Sequence, residues 1–397
     1  TSGRAGRVHR RPQQEVGDGC GLAARRRRGA PDAAAIARIF CFIMPVLMAG
    51  CAQPPPVRFH TPDDYPERLS SWGVLEKQGN RLVLGENVTA YDINTPLFSD
   101  YALKLRTLWM PAGTSAGFAA RDSYAMPAGT IISKTFFYPL HDGLAQATPG
   151  WDGDVGALNL ARNRVIETRL LVKQASGWDA VPYIWRGDDA WLTLTGDLQS
   201  FDLQTPAGRV ALDYIVPTRN DCASCHATSR DGELDTIGIK TRHLNRGYHG
   251  DPNNQLEDWL RRGLLTGAPA SSTWARNADW RLGNEPVDHR ARSYLDTNCG
   301  HCHNPQSATD TSGLWLDYQD HPPRRMGLCK PPIAAGRGTG GRAWSIAPGN
   351  PDASILTFRM ATTDPGMRMP ETGRTLPHPE AIATVSDWVA SLGGECA

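Results

Sequence analysis

Two five-residue segments constrain this chain more than anything else in it: CASCH, Cys222 to His226, and CGHCH, Cys299 to His303. On a helical turn, cysteines three positions apart and the histidine behind them project near one another. Each cysteine can then form a thioether with a vinyl group of haem, while the imidazole reaches the iron as an axial ligand, which is why this spacing reads as c-type haem attachment. Two Cys-x-x-Cys pairs also suit a zinc site built from four thiolates, but zinc gives no reason for a histidine directly behind both pairs. A dithiol redox motif belongs beside a βαβ pattern, and none is evident. The expectation is two covalently bound haem c groups, one on Cys222, Cys225 and His226 and one on Cys299, Cys302 and His303.

The start of the 397-residue chain reads as an export leader. Arg25 to Arg28 supply a positive region, and Ile39 to Ala49 an apolar run too short to span a bilayer. Ala49 and Gly50 precede Cys51 in a pattern that resembles a bacterial lipobox, so Cys51 is expected to be lipidated and to anchor the protein to a membrane. An ordinary secretory signal with Cys51 as a bystander is the alternative. Residues 1–50 are therefore read as a lipoprotein-type signal peptide, its first part as a start-site extension, and 51–80 as tether and lead-in. The first fifty residues carry nine arginines against three acids, leaving 33 basic and 38 acidic residues in the remainder. That balance argues against nucleic acid as a partner and fits an acidic body that docks a basic redox partner.

Cys20, Cys41 and Cys51 belong to the leader and four cysteines to the repeated motifs, which leaves Cys329 and Cys396. In an oxidising compartment two such cysteines are expected to pair; two free thiols are the alternative. The bridge would close a loop of 67 residues, worth about 4 kcal/mol from loop-closure entropy.

From 81 to 216 the sequence is strand-like: RLVLGENV, ALKLRTLW, TIISKTFFYP, RVIETRLLV, VPYIWRG, AWLTLTG and VALDYIVP are short runs rich in β-branched and aromatic residues, punctuated by Gly and Pro. After Val216 the texture turns helical. Leu256, Trp259, Leu260 and Leu264 share a face, and Pro379 opens a final helix striped with Ile382, Val385, Val389 and Leu392. The expected fold is multidomain: an all-β, sandwich-like N-terminal domain over 81–216, followed by two mostly α-helical cytochrome c-like haem units over 217–285 and 286–397.

The stretch from SYLDTNCGHCH through MRMPETG to VSDWVASL resembles a class I cytochrome c domain. That resemblance implies a distal thioether ligand in the Met-Pro loop, which maps onto Met369; Met367 is a rival, and core packing the simpler role. For the first haem no methionine lies between His226 and His303. TIGIKTRHLNR resembles the segment behind a cytochrome c haem, and His243 is the first candidate for its distal ligand, with His249, His289 and Met126 behind it and an open iron also in play. More broadly, the text from NTPLFSDYALKLRTLWMPAGT to APGNPDASILTFRMATTDPGMRMPETGR resembles a family of exported bacterial dihaem c-type cytochromes with an N-terminal β-rich domain. The resemblance implies electron transfer in the periplasm or at the cell envelope and supplies no known substrate; no catalytic residue is assigned. The asymmetry between the motifs leaves a dihaem peroxidase-like enzyme as an alternative. A glycan- or partner-binding module is a third, with Trp109, Trp151, Trp178, Trp185 and Trp191 as stacking candidates.

Overall fold

In a computed structural model, residues 54–397 are described, except 149, 152, 157, 228–230, 250, 308–309 and 334. The leader and Cys51 lie outside the described residues. Thirteen strands are seen among them. A hairpin, β1 (Leu75–Gln78) with β2 (Arg81–Leu84), stands apart from a nine-stranded mixed sheet. The sheet comprises β3 (Thr89–Tyr91), β4 (Leu103–Trp109), β6 (Ile131–His141), β7 (Leu144–Gln146), β8 (Asn163–Gln174), β9 (Gly177–Arg186), β10 (Asp189–Leu192), β11 (Asp197–Thr205) and β12 (Gly208–Val216). The long central β6 pairs antiparallel with β4 on one side and β8 on the other; its far end passes through β7 to β11 and β12, and β7 to β11 is the parallel step. A two-residue pairing joins β5 (Ala116–Gly117) to β13 (Leu265–Thr266).

Alternation along β6 explains what each face of the sheet carries. Ile131 and Phe137 pack with Leu69, Trp72, Leu105 and Tyr183 under the N-terminal segment. Ile132 faces the other way and packs with Ile239, Leu244, Leu256, Trp259 and Trp274, all from the segment that follows the first motif.

That packing corrects the expected architecture. The described residues belong to one compact unit dominated by a single curled sheet, not a sandwich followed by two α-helical cytochrome domains. The helices are few and short: α1 (Arg219–His226), α2 (Thr241–Leu244), α3 (Gln255–Arg261), α4 (Val287–Leu295), α5 (Ile355–Ala361) and α6 (Pro379–Ser391), the last being the longest at thirteen residues. The physical reason lies in the core of 217–285. Its apolar side chains have too few partners among themselves and complete their burial on Tyr91, Leu108, Met110 and Tyr124 of the β-rich part. The following segment does gather its own cluster, in which Tyr294, Leu295, Met360, Val385 and Trp388 unite α4, α5 and α6. Much of the chain between α4 and α5 is nevertheless turn and loop. Cys329 and Cys396 are joined by a disulfide.

Candidate functional site

Both attachment motifs sit on helical turns. Thr218 caps α1 in a reciprocal box with Asp221, its hydroxyl taking the Asp221 N–H while the Asp221 carboxylate takes the Thr218 N–H. This fixes where α1 begins and hence where Cys222, Cys225 and His226 point. The second motif follows α4 through a widened turn, Asp296–Gly300, of the kind concentrated at functional sites. The His303 N–H then bonds to the Cys299 carbonyl at 2.8 Å, closing one helical turn.

A cavity of about 230 Å³ opens beside the first motif, lined by Cys222, Cys225 and His226 on one side and by Phe98, Phe136 and Tyr214 elsewhere. His226 Nδ1 lies 2.8 Å from the Asp235 carbonyl, the hydrogen bond that orients a ligating imidazole and leaves Nε2 for a metal. Burial and the Lys134 ammonium push its pKa down to about 3, so the ring is neutral, as a ligand must be. Burial likewise raises the thiols: Cys222 moves up, and Cys299 and Cys302 are pushed up to about 12. Groups so held are not the low-pKa thiolates of a dithiol redox centre. Among the described residues no three His, Cys, Asp or Glu side chains converge on one point, which is not the donor arrangement of a four-thiolate zinc cage.

The second motif faces a smaller crevice of about 20 Å³, in which Cys299 meets Tyr294, Met360, Met369 and His378. Met369 is held there firmly. Its N–H bonds to the Arg359 carbonyl at 2.8 Å, and Arg374 donates to its carbonyl at 2.8 Å. The loop is tied to the β-rich part by Asp100, whose carboxylate accepts the Thr375 and Leu376 N–H groups at 2.8 and 2.7 Å. His303 Nδ1 is 3.5 Å from Ser312 Oγ, and burial pushes its pKa down to about 4.

The other residues expected from the sequence as distal ligands lie elsewhere. His243 is buried with Nε2 2.8 Å from Asp296, which also receives Arg242 at 2.7 and 2.8 Å. His289 spans Glu285 and the Arg276 carbonyl, His249 pairs with Asp154, and Met126 sits in the apolar core. None of the four lines the cavity. Three residues with no role expected from the sequence do line it: His301, Lys134 and Arg169. His301 stands inside the second motif. Lys134 breaks the apolar run of TIISKTFFYP on an inward face, and that interruption was the available signal.

Lys134 is the centre of a row. It lies opposite Arg106 on β4 and Arg169 on β8, three cations side by side across adjacent strands. Arg106 pairs with Asp92 at 3.0 Å and Arg169 with Glu167 at 2.5 Å. Among the described residues no acceptor pairs with the Lys134 ammonium, which rests 5.8 Å from the Phe136 ring centre. Burial and Arg169 push its pKa down to about 7. Arg368 and Arg374 add to the positive lining.

A haem brings four nitrogens of its own and asks the protein for axial side chains and, in the c type, two thiols. Its carboxylates call for cations. Both motifs offer two thiols and a neutral imidazole; beside the first, an aromatic wall and a cationic row fit the group, while at the second Cys299 and Met369 share the crevice. Comparison with protein-family models, with curated proteins and with solved structures gives no match.

Proposed function

We propose that the chain is a dihaem c-type cytochrome that relays electrons between redox partners at the cell envelope, a reading carried by the meeting of its two attachment motifs. The Cys302 sulfur lies 3.5 Å from the carbonyl of Ser224, within the first motif. Cys222, Cys225 and His226 would hold one haem, and Cys299, Cys302 and His303, with Met369 beside Cys299, would hold the other. Bound there, haem supplies reversible one-electron oxidation and reduction. The chain's own part is to fix the two imidazoles as neutral ligands, to wall the groups with aromatic side chains, and to balance their carboxylates with Lys134, Arg169 and Arg374. The loop through Met369 also reaches the first motif, with Thr372 Oγ1 3.9 Å from the Cys225 sulfur, so both centres share one wall. Among the described residues no helix is long and apolar enough to cross a membrane. Placement at the envelope and attachment through Cys51 rest on the leader sequence.

The test is a pyridine haemochrome count on the full chain, expressed in a host that attaches c-type haem. Two covalent haems per chain are expected. The double variants Cys222→Ser/Cys225→Ser and Cys299→Ser/Cys302→Ser should each retain one. A purified chain with no covalent haem overturns the reading.

A further inference from the structure

We propose that His301 is the distal axial ligand of the haem attached at Cys222 and Cys225, so that a residue inside one attachment motif ligates the iron carried by the other; this rests on the dihaem reading above. Helical geometry makes the arrangement available. Even with the smaller rotation per residue of a widened turn, below the α-helix's roughly 100°, the position two beyond Cys299 lies roughly opposite it. The structure shows the outcome: Cys299 faces the Met369 crevice, while His301 lines the cavity that holds His226, Cys222 and Cys225.

His301 is only 6% exposed, and its Nδ1 has no hydrogen-bond partner. The Thr297 carbonyl lies beside the ring. A buried imidazole left in this condition costs free energy unless something else engages it. A metal at Nε2 would fix the ring with Nδ1–H toward the Thr297 carbonyl, the kind of contact that commonly steadies a ligating histidine. The alternatives are spoken for, since His243, His289 and His249 are each engaged by other partners and Met126 by the core. Among the described residues, Lys134 is the other nitrogen donor without a hydrogen-bonding acceptor on the cavity wall. Its position between Arg106 and Arg169 suits it to carboxylates, and the test separates it from His301. The arrangement also gives the two centres a covalent connection, because the residue after His301 is Cys302 itself.

The experiment uses the full chain with its haems attached. Reduced with dithionite, the wild type should bind no carbon monoxide. His301→Ala should take up about one per chain and show a high-spin signal that added imidazole removes. His301→Met, which retains a ligand, should keep the iron six-coordinate, raise the potential of one haem and strengthen the near-infrared signature of His/Met ligation. Lys134→Ala, which leaves no donor at that position, should leave the carbon monoxide count at zero. Rapid uptake of one carbon monoxide by a wild type that carries two haems overturns the assignment, as does uptake by Lys134→Ala. Should His301→Ala fail to accumulate, the wild-type count and the His301→Met spectrum decide between the same outcomes. A chain with no haem overturns the dihaem reading itself, a result distinct from either.

Discussion

The Cys302 sulfur and the Ser224 carbonyl oxygen are 3.5 Å apart, although 78 residues separate them in sequence. Each belongs to a different attachment motif, so a group fixed to Cys302 is fixed beside the first motif. Three further contacts hold the neighbourhood in place. Asn298 accepts the Phe98 N–H at 2.7 Å, Asp100 pins the Met369 loop, and Asp296 links α2 to the turn before Cys299. The approach of the motifs is therefore built by the whole fold rather than by a linker between two independent units.

Met369 and Met367 can be told apart directly. Met369 lines the crevice with Cys299, whereas Met367 does not. Met369→Ala is expected to lower the potential of one haem and to admit about one carbon monoxide per chain, because a thioether ligand both raises the potential and closes the site. Met367→Ala should change neither. Spectroelectrochemistry and a carbon monoxide titration check both variants, and the opposite pattern would transfer the role to Met367.

On the dihaem reading, Lys134 should act on the first haem through its charge. An oxidised haem carries one more positive charge than a reduced one, so removing a nearby cation favours oxidation. Lys134→Met is expected to lower the midpoint potential of that haem when measured at pH 6, below the value of about 7 to which burial brings the ammonium. A raised or unchanged midpoint would remove the residue from the haem's electrostatic surroundings.

Asp296 is the most heavily engaged buried carboxylate near the site, receiving Arg242, His243 and Asn277. Burial opposes its ionisation, yet Arg242 and His243 hold its carboxyl well below the usual range. Asp296→Ala leaves a buried guanidinium without its partner, and a loss of about 3–5 kcal/mol is expected, read as a lower denaturant midpoint. A loss below about 1 kcal/mol would mean that water replaces the carboxylate.

His378 provides a pH test. Burial, and secondarily Lys104, push its pKa down to about 3, against roughly 6.5 in an unfolded chain. Between those values the unfolded state binds a proton that the folded state refuses. Its contribution is therefore fully present above about pH 6.5 and is lost as the pH falls toward 3, at most at about 1.4 kcal/mol per pH unit. His378→Gln should flatten this part of the stability profile relative to wild type. Parallel curves for the two proteins would assign the acid sensitivity elsewhere.

Much of the β-rich part was legible because its strands follow the rule of alternating or wholly apolar runs; β4, β6, β8, β9 and β12 lie where those runs stand. The strand β11 was not. Its sequence DLQSFDLQT is polar, and it is an exposed strand, with Leu198 55% accessible. The two motifs were plain from spacing alone. What spacing could not show is that Trp259 and Leu256 complete their core on the sheet, since periodicity reveals that a helix has an apolar face but not what covers it. For the same reason the surroundings of His243 were not legible. Whether a histidine meets a cavity or a carboxylate depends on residues more than fifty positions away, here Asp296. His301 was hidden by its own position, because a motif read for its cysteines and last histidine draws attention away from the residues between them.

The row of Arg106, Lys134 and Arg169 across three strands has a consequence for how the protein matures. Like charges directly opposite one another weaken a sheet, and here the middle one has no acceptor among the described residues. A carboxylate-bearing group that settles against them relieves this repulsion, so on the dihaem reading strand pairing and covalent attachment favour each other. On that reading, a chain without the group keeps the Lys134 ammonium between two guanidiniums, each held by its own carboxylate, and loading supplies the acceptor that the row lacks.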